Sequence, residues 1–147
     1  MNNKIFIDSD IILDVLAERG SFYKPAAELF DLGVAKKLDL YTTAVVLANV
    51  FYIIRKKNGV DKSREHLKKL RLILGILPIN EKTVDDVLVS KITDFEDGLQ
   101  YFSAREHSIP VIITRNTKDY REKDVAVLSA EEFLGLKSTA FFGGLNE

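Results

Sequence analysis

The 147-residue chain contains no cysteine and no tryptophan, and only three prolines, two histidines and one methionine. Without cysteine there are no disulfides, no thiolate zinc sites and no cysteine nucleophiles, which fits a cytoplasmic protein. The two histidines, His66 and His107, leave little room for an imidazole-based metal site, and both stand among charged neighbours and read as surface side chains. No apolar run approaches the roughly 20 residues of a membrane-spanning helix. The opening MNNKIFIDSD turns acidic after a few apolar residues, unlike a secretory signal. A large charge of one sign is also missing. Twenty-one basic residues face 22 acidic ones for a net charge of −1, which excludes a protein that grips nucleic acid by bulk charge. There is no internal repeat, low-complexity stretch or interior linker.

What remains is an ordinary globular composition, 46% hydrophobic and 29% charged, in a chain of one-domain length. Residues 1–137 are expected to form that domain and residues 138–147 a tail. The charges are unevenly spread. From Arg55 to Arg71 eight cations meet two acids, net +6, and from Glu81 to Asp97 six acids meet two cations, net −4. Opposite patches suit a metal site that must also attract phosphate. Two solvated helix faces would give the same count.

Apolar periodicity and turn chemistry predict alternating strands and helices. Lys4–Ile7 reads as a strand, followed by a helix from Asp10 to about Glu18. Pro25 suits the first turn of a second helix that runs to Val34. Leu38–Thr42 reads as the second strand, with Thr42 or Thr43 capping a helix over Ala44–Lys57 that stops near Asn58–Gly59. A helix is expected from Asp61 to about Leu74, ended by Gly75. Ile76–Ile79 would be a third strand, placed at an edge by Pro78. Helices over Glu81–Ser90 and Phe95–His107 precede strands at Pro110–Thr114 and Val125–Leu128. Ser129 and Glu132 have the spacing of a capping box for a closing helix to about Leu136. Strands separated by helices imply an α/β fold with a parallel sheet covered on both faces.

In such sheets, chemistry sits beyond the carboxyl ends of the strands. Asp8 follows the first strand, Thr42 and Thr43 the second, and Thr114, Arg115, Asn116 and Asp119 the fourth, so all should meet at one edge. Asp8 is the leading acid, its bland alternative being a helix N-cap. Asp10 is close enough to share a site with it, whereas Asp14 reads as a solvated or dipole-stabilising acid. Asn49 interrupts the apolar run AVVLANVFYII and must be hydrogen-bonded if buried. In DFED, Asp94 is best explained as an N-cap. Glu96 and Asp97 follow it, and Asp97 sits inside a helix where Asp forms poorly. Phe95, Leu99 and Phe102 mark that helix's expected buried stripe. Oxygen donors without histidine or thiolate select hard cations, and such ions activate water and stabilise a phosphodiester under attack.

Four segments together resemble one family. FIDSDIILD at 6–14, YTTAVVLANVFYIIRK at 41–56, DFEDGLQYFSA at 94–104 and IITRNTKDY at 112–120 resemble, in order, the four blocks of PIN domains, in particular a bacterial branch related to VapC-type toxins. The resemblance spans about residues 3–135. It implies a three-layer α/β/α fold with a central, mostly parallel sheet of about five strands, dependence on Mg²⁺ or Mn²⁺, and endoribonuclease activity as the toxin of a toxin–antitoxin pair. It also implies a homodimer and a small antitoxin protein as partner. By position, Asp8, Asp97 and Asp119 resemble the catalytic metal ligands, with Asn116 as a further ligand. Asp10, Asn49, Thr114, Asp94 and Glu96 would support them, and Arg115 and Lys118 would hold RNA. Two positions depart from the pattern. Asn49 stands where the family usually has Glu, and Asp10 where it usually has Asn. We expect Asp10 to return a charge to the site, in which case Asp10→Asn lowers metal affinity. The alternative is a PIN-like domain that binds RNA or a partner without cutting.

Two other acid-based folds fit less well. A haloacid-dehalogenase-type phosphatase would share Asp8-Ser9-Asp10, but its Ser/Thr strand should precede an acidic block such as DFED, and here Thr114 follows it. A receiver domain needs an acceptor Asp after its third strand, where this chain has Ile79-Asn80.

Overall fold

The computed structural model describes residues 2–117 and 124–136. Five strands, β1 (Lys4–Ile7), β2 (Asp39–Thr43), β3 (Leu74–Leu77), β4 (Val111–Ile113) and β5 (Ala126–Leu128), form one sheet in the order β3-β2-β1-β4-β5. All four pairings are parallel. Between the strands lie α1 (Ser9–Leu16), α2 (Gly20–Val34), α3 (Ala44–Asn58), α4 (Val60–Arg71), α5 (Glu81–Val89) and α6 (Phe95–Glu106). A seventh helix, α7, occupies residues 130–136.

Chain direction explains the layers. From β1 through β2 to β3 the chain steps one way across the sheet, and then it returns past β1 to β4. Because parallel crossovers are right-handed, the reversal sends α5 and α6 to the opposite face from α1–α4. The helix contacts follow this division, with α1 on α2 and α3, α3 on α4, and α5 on α6. The sheet supplies the centre of the core through Ile5, Phe6, Ile7, Ile112 and Ile113, each 2% exposed or less. The strands are hydrophobic on both sides, as a sheet covered on both faces requires. No helix among the described residues is long and apolar enough to cross a membrane.

The helix starts and stops follow local chemistry. Thr43 accepts the Val46 N–H and caps α3, and α3 ends at Gly59, whose φ of 80° suits a residue without Cβ. Asp94 caps α6 through the Asp97 N–H. Ser129 and Glu132 cap each other reciprocally, each backbone N–H bonding the other's side chain at 3.1 Å.

Four expectations need correction. Helix α4 ends at Arg71 rather than near Leu74, and Gly75 lies inside β3. Gly75 is there for space, since a Cβ would come within 2.7 Å of the Tyr41 ring on the neighbouring strand. Pro25 sits in the second turn of α2 rather than the first, because the helix already begins at Gly20. Phe95 is 47% exposed and outside the buried stripe, while every residue from Gly98 to Ala104 is buried, so the middle of α6 is enclosed on all sides. Asp14 is not solvated. It is 1% exposed and faces Arg115 Nη2 across 3.1 Å. The expected tail, 138–147, lies outside the described residues.

Candidate active site

The order in which the chain adds strands reverses between β1 and β4, and the carboxyl ends of those two strands form the crevice where doubly wound sheets bind ligands. Asp8 is the first residue beyond β1. Its backbone N–H bonds the Ile113 carbonyl at 3.0 Å, so the end of β4 holds it in place. Asp8 is 7% exposed, and its carboxylate is bonded on both oxygens. Oδ1 accepts the Ser9 N–H at 2.6 Å and Gln100 Nε2 at 3.0 Å, and Oδ2 accepts the Thr114 hydroxyl at 2.8 Å. Asp8 therefore caps the first N–H of α1, but capping alone does not require donors from α6 and from beyond β4. Thr42, fully buried at the end of β2, donates to the Ile7 carbonyl at 2.9 Å and fastens a third strand end to the same point.

Asp10 is the second acid of the crevice. Its Oδ2 accepts the Arg115 N–H at 3.0 Å and lies 3.2 Å from Thr114 Oγ1. A hydroxyl has one proton, so Thr114 serves Asp8 and Asp10 alternately and keeps the two carboxyl groups together. Asp10 Oδ1 is buried with no hydrogen-bond partner. Burial, followed by the nearby Asp8 charge, pushes the Asp10 carboxyl from 3.8 up to about 6. Glu96, on the first turn of α6, also stands above the usual glutamate range. Burial is the main cause and the Asp8 charge the next, while the hydrogen bond from Asn49 opposes them. Burial likewise raises Asp14, against the pull of Arg115 and Arg19. The crevice thus gathers negative charge that burial and mutual repulsion disfavour.

Most of the expected residues meet here. Asp8, Asp10, Thr114 and Arg115 form one network, and Asn49 Nδ2 donates to Glu96 Oε1. Asn116 is exposed, and its N–H donates to Thr114 Oγ1 at 3.2 Å. Asp97 is half-buried at the third position of α6, with its N–H on Asp94. Asp94 is exposed and acts as a cap. Lys118 and Asp119 lie outside the described residues. Sequence reasoning missed Gln100 and misread Asp14. Gln100, 2% exposed, is the α6 donor to Asp8, and its only signal was a polar amide amid a buried stretch. Asp14 anchors Arg115, whose guanidinium also lies 4.2 Å from the Phe22 ring centre. Arg115 borders a cleft of about 430 Å³ with Ile11, Asp14, Phe22, Pro25 and Ala130. A second cavity, about 470 Å³, opens beside the far end of α6 near Arg105 and Glu106 and takes no part in this crevice.

Among the described residues no group of three or more carboxylate or imidazole side chains is gathered tightly enough to hold a metal ion. The donors that are present nonetheless suit a hard cation. They are carboxylate oxygens, one of them buried and unpaired, in a pocket short of positive charge.

A five-stranded parallel sheet between helix layers, with buried acids where the strand order reverses, defines a three-layer α/β/α domain with an acid-lined carboxyl edge. The chain belongs to the PIN-domain family, whose model matches residues 4–118. It is 29% identical over 139 residues to Ribonuclease VapC1 of Aquifex aeolicus (strain VF5), a match covering 90% of this chain and 94% of that protein. Its fold is similar to a toxin–antitoxin complex from Klebsiella pneumoniae, with a TM-score of 0.65 at 18% identity over 86% of this chain and 97% of that one. It is also similar to VapBC2 from Rickettsia felis bound to a promoter DNA fragment, with a TM-score of 0.63 at 17% identity over 84% and 96%.

Proposed function

We propose that this protein is a Mg²⁺- or Mn²⁺-dependent endoribonuclease and the toxin of a toxin–antitoxin pair. The observation that carries the reading is Asp8. It is a buried carboxylate fixed on both oxygens at the β1–β4 switch point, with a second carboxylate on the same threonine hydroxyl. The ribonuclease name of the relative from Aquifex aeolicus, matched along 90% of this chain, supports the reaction class.

Asp8, Asp97 and Asp119 would hold the ion, with Asn116 contributing and Asp10 adding charge. Bound there, the ion would lower the pKa of a water molecule and stabilise the phosphodiester under attack. The protein's own side chains prepare the site. Gln100, Thr114 and the Ser9 N–H fix the Asp8 carboxylate in one orientation, so that it does not reorganise when ligand arrives. Arg115 keeps donors to spare after its contact with Asp14, because a guanidinium carries five N–H groups. With its side chain 31% exposed at the rim of the crevice, it is suited to an RNA phosphate, and Lys118 would extend that contact. The structural similarity to toxin–antitoxin complexes supports a small antitoxin protein as partner. We further propose a cytoplasmic homodimer, which light scattering of the purified chain would test.

The deciding experiment is cleavage of a panel of structured and single-stranded RNAs with Mn²⁺, beside Asp8→Asn and EDTA controls. Cleavage lost in both controls is expected. Absence of cleavage together with absence of Mn²⁺ binding would favour the binding-only reading, which the uncharged Asn49 supports.

A further inference from the structure

Helices α3 and α6 bring positions 49 and 96 together, and the Asn49 amide donates to Glu96 Oε1. An acid in the first turn of a helix is ordinarily explained by the helix dipole, and such an acid stays in solvent. Glu96 is instead half-buried and turned onto a side chain of another helix, although Asp94 already caps α6. Glu96 also stands one turn before Gln100 on the same face of α6, and Gln100 Nε2 reaches Asp8 Oδ1 at 3.0 Å. The carboxylate of Glu96 is therefore carried on the same helical face as the donor that fixes Asp8.

The contact between 49 and 96 has room for one negative charge. Two carboxylates at hydrogen-bond distance would repel each other unless one took up a proton. An amide facing a carboxylate satisfies both groups and leaves the second carboxylate oxygen for another partner. We propose that Glu96 is a metal-ligating carboxylate of the Asp8 site, supplying from α6 the negative charge that α3 lacks at Asn49. This rests on the metal-dependent reading above. It differs from that reading in making Glu96 a direct ligand and Asn49 the residue that positions it.

The test is a charge transplant read by Mn²⁺ affinity, measured by calorimetry on the whole chain, with RNA cleavage as a second readout. Glu96→Gln keeps size and hydrogen bonding, and Asn49→Glu/Glu96→Gln moves the carboxylate from α6 to α3. Wild type and Asp8→Asn establish whether the site binds Mn²⁺ at all. We expect Glu96→Gln to weaken Mn²⁺ binding about 10-fold or more with an unchanged far-ultraviolet circular dichroism spectrum. The double variant should recover most of that loss, and Asn49→Ala should weaken binding less than Glu96→Gln. If wild type binds Mn²⁺ through Asp8 and Glu96→Gln binds it equally well, Glu96 is only a partner for Asn49 and this inference fails alone. A loss that the double variant does not recover also overturns it, because the effect then comes from packing rather than from charge. A wild type without Mn²⁺ binding would remove the metal-dependent reading and this inference together.

Discussion

Two threonines at opposite ends of α6 make similar contacts in very different surroundings. Thr83, fully buried, has its hydroxyl 3.0 Å from both Asn80 Oδ1 and Glu106 Oε2. Thr114, also fully buried, lies between Asp8 and Asp10 at 2.8 and 3.2 Å. Around Thr83 the acceptors are one neutral amide and one carboxylate. The same residues cap α5 reciprocally, so every group has a structural task. Around Thr114 both acceptors are carboxylates, one oxygen of Asp10 has no partner, and burial together with the Asp8 charge raises Asp10 and Glu96 above the usual carboxylate range. A cluster whose groups are all satisfied can be explained by folding alone. One that gathers like charge and leaves an acceptor empty is poorly suited to stability, and such sites are where function is to be sought.

The sharpest way to break this comparison is Asp8→Asn. It is expected to reduce RNA cleavage to background and to abolish any rise in melting temperature on adding Mn²⁺, since a ligand stabilises only a native state that binds it. A variant that still cleaved RNA would deny the Asp8 end its role.

The next effect concerns pH. Asp10 is raised in the folded protein, so the fold binds its proton more tightly than the unfolded chain does, and stability is lost as pH rises. The window runs from about 4, the ordinary value, to about 6, the folded one. A displacement of that size corresponds to roughly 3 kcal/mol. Metal-free protein should therefore lose stability between about pH 4 and pH 6, with Asp14 and Glu96 acting in the same direction. Denaturant melts across that range should show the fall in wild type, a flatter profile in Asp10→Asn, and a smaller fall when Mn²⁺ is present.

The two threonines then give a matched pair. Thr114→Val should weaken Mn²⁺ binding about 10–100-fold, the usual cost of losing a group that orients a ligand. Thr83→Val should leave Mn²⁺ affinity unchanged while costing about 1 kcal/mol of stability, because it removes the hydrogen bonds of a buried hydroxyl to Asn80 and Glu106. Calorimetry and urea melts of both variants separate the outcomes, and equal effects on metal binding would erase the distinction between the two ends. Ser129→Ala should cost about 1 kcal/mol as a lost cap, which urea melts check.

Much of the architecture was legible in the residues. The strand and helix order and the caps at Thr43, Asp94 and Ser129 follow from periodicity and capping, which are local, whereas β3 lies at the sheet edge as Pro78 suggested but runs over Leu74–Leu77, with Pro78 beyond its end. The misplaced features were those decided by a distant neighbour. Gly75 resembles a helix terminator in sequence, but its task is to clear the Tyr41 ring of another strand. Phe95 continues an apolar stripe on paper, but it lies at the exposed start of α6.

The same division runs through the site. That an acid ends the first strand, that oxygen donors follow the fourth, and that no thiol or histidine cluster competes with them were determined by the sequence by itself, because composition and strand-end position fix which chemistry is available. Which acids face one another was decided only by the tertiary structure. Asp10 joins Asp8 through a hydroxyl 104 residues away, Gln100 reaches back 92 residues to the same carboxylate, and Asn49 meets Glu96 from another helix. Asp14, which reads as a surface acid, is buried against Arg115 by the packing of α1 beneath the loop after β4. Side-chain pairing across such separations depends on strand order and helix placement, and no local pattern encodes it.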